Sequence, residues 1–455
     1  MNFDKDKLYL ASAWQIAEAV RTSKISAFDV AKSFIARVGE TEGSCHAWAH
    51  LNESYYLQQA RTIDKAERRG ILAGVPIGVK DIFNTEILPT EMGSAVWQGH
   101  RAGNDARCVS YLRRDGGVIA GKTDTAEFAV HVPGCAKNPW SDGHVTGTSS
   151  GGSVVAVATA NVPLALTTQT AGSTIRPSSW CGVYGMKPSF GVIPRTGVLK
   201  TTDTLDNIGF CGRSNKDLRL CFNSMRVRGQ NYPIVERSLT FHAERPHKGW
   251  RIGLISDNSS DVTKPYVTEA ISQLASDIDQ LDNVKVVDVE LPVSRKTYSN
   301  LHRRLYNSCL AYYFRDELTN SPDSISKSFK DLAKQGSEIS PKDYSLALEE
   351  QSKLAKQFDA FYVENSIDFL LCPSSDGSAP KLQEPSSHRD RNLLWTLTWL
   401  PVITVPQFRC PDELPFGYQV VGPRYNDYRM FEFIEYLVAN DLAPKLTRVA
   451  TPKYR

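Results

Sequence analysis

Residues 146–153 read TGTSSGGS, an unbroken run of Gly, Ser and Thr. Ser173 follows within a second cluster, TTQTAGSTIRPSSWCG (167–182). A Ser/Gly run serves as a flexible linker, as a phosphate cradle, or as a rigid active-site backbone. The linker reading weakens because VVAVATA (154–160), a close-packing helix or strand, follows at once. The phosphate reading weakens because neither G-x-x-x-x-G-K-[ST] nor G-x-G-x-x-G occurs there. What remains is a backbone that presents hydroxyls and amides. Ala171 and Gly172 have side chains small enough to let a substrate reach the chain. The amides of Thr170, Ala171, Gly172 and Ser173 would then point at a developing oxyanion. Pro177 suits the first turn of a helix, whose N-terminus adds partial positive charge.

A nucleophilic serine needs a base. The nine histidines (46, 50, 100, 131, 144, 242, 247, 302, 388) accompany no G-x-S-x-G elbow, and each reads as a surface or satisfied side chain. His144 stands nearest the serine run. Lys80 differs, because it sits in the apolar run GVPIGVKDIF, where a solvated lysine is unexpected. Desolvation favours its neutral form and makes it a base; equally, it is a partner of Asp81 or a snorkelling strand-end residue.

The surrounding chain must position these groups. Apolar positions at helical spacing over 12–40 give two helices broken near Thr22–Lys24, with Ser26 capping the second. Residues 55–68 read as a further helix closed by Gly70. Val75–Asn84 and Gly117–Gly121 are strand-like. Arg251–Ser256 and Val284–Leu291 bracket a helical segment, Val267–Leu281, as a β-α-β unit. Residues 297–365 are mainly helical, and Asp368–Cys372 and Pro401–Val405 are buried-strand runs. With no fixed-period repeat and no long linker, residues 1–455 read as a single large α/β domain. Its mixed central β-sheet is covered by helices on both faces, with an N-terminal helical region 1–70 and a helical insertion at about 297–365.

Composition excludes other classes. The 53 Lys+Arg and 50 Asp+Glu leave +3, too little to steer the chain to nucleic acid or an anionic membrane. No apolar stretch approaches the length of a transmembrane span, and the first twenty residues show no signal-peptide h-region. The nine cysteines form no C-x-x-C pair, which suits reduced thiols in the cytoplasm.

Taken together, these segments resemble the amidase signature family of Ser-cisSer-Lys hydrolases. GVPIGVKDIF resembles its lysine strand, and GKTDTAEFA (121–129) its GKTNMDEFA-like segment. GTSSGGSVVAVA (147–158) matches the signature's Ser/Gly run, and TAGSTIRPSSWCGVYGMKPSFGVIPRTG (170–197) the nucleophile region. LDNIGF (205–210), RIGLIS (251–256) and WTLTWLPVITVP (395–406) fall in family order, so the likeness spans about residues 12 to 440. The resemblance implies that Ser173 is the nucleophile, Ser149 the bridging serine with a cis peptide bond, and Lys80 the general base. The expected reaction is amide hydrolysis through an acyl-Ser173 intermediate, with an oxyanion hole at 170–173, no cofactor and no metal. Ser150 and Gln169 support the site; Ser153 caps or packs the helix that follows, and Trp180 and Cys181 belong to the core.

This chain departs from the family pattern at Gln169, where Asp is common, at Ala171 and Thr148, where Gly is common, and at Arg176, one residue later than usual. The resemblance places substrate groups near Met92–Trp97, 131–140, the 297–365 helices and Trp395. Tyr306, Tyr312, Tyr313 and Phe314 suit either an aryl-amide pocket or a core-facing helix side. The expected partner is a small amide, without nucleic acid or membrane insertion, and a homodimer is compatible with this reading. The alternatives are a catalytically silent binding protein and a glutamine-dependent amidotransferase A-type subunit.

Overall fold

A computed structural model describes residues 3–229, 233–244, 249–255, 262–384 and 391–452. Ser256 of the RIGLIS strand, His247 and His388, together with the side chain of His242, lie outside the described residues.

Eleven strands among the described residues form one mixed sheet. They are β1 (Trp48–Leu51), β2 (Pro76–Lys80), β3 (Val118–Thr123), β4 (Leu164–Gln169), β5 (Tyr184–Lys187) and β6 (Asn207–Gly212), then β7 (Trp250–Ile255), β8 (Val284–Val289), β9 (Phe369–Pro373), β10 (Val402–Arg409) and β11 (Pro415–Val421). The order across the sheet is β1-β3-β2-β4-β6-β5-β10-β11-β9-β7-β8. Every residue of β2, β3, β4, β6 and β11 is buried. Burial of both side-chain faces means the sheet is covered on both sides, as the α/β reading requires. It also explains why these strands read as continuous runs and lack polar alternation.

The N-terminal region carries helices at Ala13–Arg21, Ala27–Cys45 and Glu53–Lys65. The first ends at Thr22 and Ser26 caps the second, its hydroxyl accepting the Asp29 amide. This region is not wholly helical, however. Trp48–Leu51 is a strand that pairs with β3, because the β3 edge would otherwise expose its ladder. The β-α-β unit forms as expected: β7 and β8 are parallel and the Pro265–Asp279 helix joins them. The insertion comprises Arg295–Tyr313, Arg315–Asn320, Lys327–Ser337 and Pro341–Glu364. No helix among the described residues is long and apolar enough to cross a membrane.

At the centre, β2 lies parallel to β3 on one side and to β4 on the other. Their carboxyl ends, Lys80, Thr123 and Gln169, therefore open on one edge of the sheet, where α/β folds place their ligand sites.

Candidate active site

Lys80 is the last residue of β2, so the fold fixes its backbone on both sides. Its side chain is fully buried, and Nζ lies 2.9 Å from Ser149 Oγ, 3.1 Å from Ser150 Oγ and 2.9 Å from Thr168 Oγ1. Burial pushes its ammonium down to about 7, a drop opposed by the charge of Asp206. Asp81 is not its partner. That carboxylate turns to Lys122, which it meets at 2.7 Å, and also accepts the Glu91 amide. His50 and Glu91 lie close to Asp81, within 4.8 Å by ligand atoms, but Asp81 is already engaged by Lys122. The cluster is an ion-pair network around that lysine.

Ser149 and Ser150 close a tight turn that leads into the Gly151–Ala158 helix. The cis peptide bond expected at Ser149 is absent; every peptide bond among the described residues is trans. The chain reverses instead through positive φ at Gly147 (118°) and Thr148 (87°), which carries the Ser149 hydroxyl onto Lys80. A Cβ on Gly147 would lie 2.4 Å from Pro177 Cβ, so only glycine lets the two clusters close on each other. Thr125 Oγ1 donates to the Ser149 carbonyl at 2.8 Å and pins the turn. Ser153 packs within the helix as expected, bonded to Thr123 and to the Leu166 carbonyl.

The second cluster leaves β4 as a loop and enters the short Ile175–Cys181 helix. Gln169 organises it. Its Oε1 accepts the amides of Thr174 and Ile175, both at 3.1 Å, while Nε2 donates to Thr396 Oγ1 at 3.2 Å. An aspartate at 169 would lack the donor for Thr396. The three carbonyls that follow are each held: Thr170 by His302 Nε2 (2.9 Å), Ala171 by Thr396 Oγ1 (2.8 Å) and Gly172 by the Arg176 amide (3.0 Å). No hydrogen bond engages the amides of residues 170–173 among the described residues. The loop's carbonyls are thus tied back, and these N–H groups carry no hydrogen bond among the described residues. Thr170 Oγ1 also donates to Asp206 at 2.9 Å.

Ser173 is half-buried and faces a cavity of about 640 Å³. Lys80 and Ser149 are buried and do not line that cavity. Among the described residues Ser173 and Ser149 are not hydrogen-bonded to each other. Such links in unliganded sites commonly tighten only on the bound substrate. The cavity wall includes Val130, His131, Arg176, His302, Tyr306 and Leu393.

Several expectations need correction. His144 bonds to Ser141 at 2.8 Å and lines a second cavity, whose wall includes neither Ser149 nor Ser173. The histidine that matters is His302, carried in by the inserted helix and invisible to local pattern. Of the aromatic concentration, Tyr306 alone faces the cavity; Tyr313 bonds to Asp203 and Phe314 packs on Phe128 and Phe329. Trp395 is fully buried under the loop, and Met92–Trp97 does not line the cavity. Trp180 and Cys181 are core residues, as read from the sequence. Thr168, Thr396 and Asp206 complete the surroundings of the site, and no local signal in the sequence marks them.

The chain matches the Amidase family model over residues 29–431. It is 27% identical to the A-type subunit of the glutamyl-tRNA(Gln) amidotransferase of Thermobifida fusca (strain YX), over 94% of this chain and 95% of that protein. The corresponding protein of Lactiplantibacillus plantarum is 30% identical over 90% of this chain and 92% of its own length. The fold superposes on the native peptide amidase of Stenotrophomonas maltophilia with a TM-score of 0.81 at 22% identity, covering 98% of this chain and 99% of that one. The match covers most of the chain, and the chain belongs to the amidase signature family.

Proposed function

We propose that the protein is an amidase that hydrolyses a carboxamide or N-acyl amide to a carboxylic acid and ammonia or an amine. Ser173 is the nucleophile, Ser149 the bridging serine and Lys80 the general base. The observation that carries this reading is Lys80, buried among three hydroxyls with its ammonium held near neutrality. A neutral amine donates twice and accepts once. Ser150 Oγ spends its proton on the Thr168 carbonyl, so Lys80 donates to Ser150 and Thr168 and accepts from Ser149. That leaves Ser149 free to accept the proton of Ser173 as its Oγ attacks the carbonyl carbon. The new oxyanion lies against the amides of residues 170–173. Protonated Lys80 returns the proton through Ser149 to the departing amine, and water then cleaves the acyl-Ser173 ester. In this reading residues 1–455 act as one domain, supported by the single sheet. A cytoplasmic setting is supported by nine cysteine thiols, eight of them buried.

A fluorophosphonate label followed by peptide mapping tests the proposal. Modification at Ser173 that disappears in Lys80→Ala is expected. Labelling elsewhere, or none on folded protein, overturns it. A second reading, in which the chain serves a glutamine-dependent amidotransferase, is favoured by the relatives from Thermobifida and Lactiplantibacillus. Glutamine hydrolysis that rises only on addition of partner chains would select it.

A further inference from the structure

The cavity in front of Ser173 is lined by four basic side chains, Arg176, Arg295, Lys296 and Arg303, and by no carboxylate among the described residues. Arg176 and Arg295 have internal work. The Arg176 guanidinium stacks over Trp180 and reaches Thr148 Oγ1, while Arg295 meets Asp376 at 3.0 Å. Lys296 and Arg303 are different. They stand two turns apart on the Arg295–Tyr313 helix, on the face that also carries Ser299, His302 and Tyr306 into the cavity. Both are exposed at its rim, and neither pairs with a carboxylate among the described residues. Among the described residues, Arg303 donates to the neutral Asn300 amide oxygen, at 3.1 Å.

We propose that Lys296 and Arg303 form a subsite for a carboxylate at the far end of the substrate, so that the preferred amides carry an anionic group distal to the scissile bond. Resting on the amidase reading, this narrows it to a substrate class. A guanidinium offers a carboxylate two parallel donors, and the lysine adds a second charge. Ala129, Val130, Leu332 and Leu393 give the same cavity apolar surface, against which the methylenes of such a substrate can pack. Low-dielectric walls lined by one sign of charge focus the field on an incoming anion.

The test pairs the monoamide of glutaric acid with neutral pentanamide, and, without any reaction, calorimetric binding of glutarate with that of neutral glutaramide. The charged member of each pair is expected to be favoured about tenfold, as two partly solvated charge pairs provide. The preference should fall toward unity in the Lys296→Gln/Arg303→Gln double variant and shrink in high salt. Equal handling of charged and neutral partners, or a preference that survives the double variant, overturns the subsite. Glutarate binding with the expected preference but no hydrolysis of either amide would sustain the subsite and count against the amidase reading instead.

Discussion

His302 Nε2 lies 2.9 Å from the carbonyl oxygen of Thr170, joining the inserted helix to the loop that precedes Ser173. A carbonyl only accepts, so Nε2 carries the hydrogen. Burial pushes the His302 imidazolium down to about 4, which keeps the ring neutral, and Tyr306 stacks on it with ring centroids 5.4 Å apart. The histidine therefore acts on the amides at 170–173 by fixing the carbonyl on the other side of the same peptide chain.

Replacing His302 with Phe keeps the stacked ring and deletes the donor. We expect kcat to fall about tenfold, less than the 10²–10³ for loss of an oxyanion donor itself, with KM within about twofold. His302→Gln, which restores an N–H, should recover part of the loss. Steady-state kinetics on a neutral amide, with thermal unfolding as a folding control, check this. A rise in KM at constant kcat would instead mark His302 as a substrate contact.

The pH profile follows from Lys80. Its ammonium is held down to about 7, and the proposed mechanism uses the neutral amine. The competent fraction thus grows as pH rises through about 7 and levels off above it. The kcat/KM profile should show one acidic limb near that value and no loss until well into the alkaline range. Lys80→Arg, whose guanidinium stays protonated, should be inactive at every pH. The same shift bears on stability. Between about 7 and the ordinary lysine range near 10.4, the unfolded chain holds a proton that the folded one lacks. Stability from this group therefore rises with pH across that window.

Thr168 supplies an acceptor to the lysine. A hydroxyl acceptor favours the protonated ammonium over the amine, so its removal lowers the pKa further. In Thr168→Val the acidic limb should move to lower pH, and in Thr168→Ser it should stay in place. The limb of kcat/KM, fitted for each variant, is the measurement, and an alkaline shift in Thr168→Val would contradict the hydrogen-bonding account.

Lys80, Ser149, Ser150 and Ser173 were legible because their residue types are improbable in their contexts: a lysine in an apolar run, and serines among glycines. The β7–helix–β8 unit was legible because its periods switch between two and 3.6. By contrast β4, β5, β6 and β11 are wholly buried and built partly of Gly, Thr and polar residues, so they show no alternation to read. The rest of the site was hidden by distance in sequence. His302 stands 132 residues from Thr170, and Thr396 stands 225 from Ala171. Such contacts are made by the sheet order and the docked insertion, and a local window contains neither. The turn at Ser149 shows a third limit. The resemblance implied a cis bond, whereas left-handed φ at Gly147 and Thr148 achieves the reversal.

Gln169 offers the sharpest stability test, because one buried carboxamide satisfies two amides and a hydroxyl. In Gln169→Leu the amides of Thr174 and Ile175 lose their acceptor in a dry interior. At about 1–3 kcal/mol for each of the two amides left unpaired, the variant should lose about 2–6 kcal/mol by denaturant unfolding. Gln169→Glu keeps both acceptors. Its protonated form also restores a donor toward Thr396, while its ionised form buries a full charge with two backbone amides as its donors. Burial raises the folded pKa of such a carboxyl above the unfolded value of about 4.3. Stability from the protonated form is therefore complete below that value and lost as pH rises through the folded pKa. Relative to wild type, Gln169→Glu should be nearly as stable near pH ~4 and progressively weaker toward neutrality. Unfolding midpoints across that range decide the matter: a deficit that stays constant with pH would mean that residue 169 is held by packing alone.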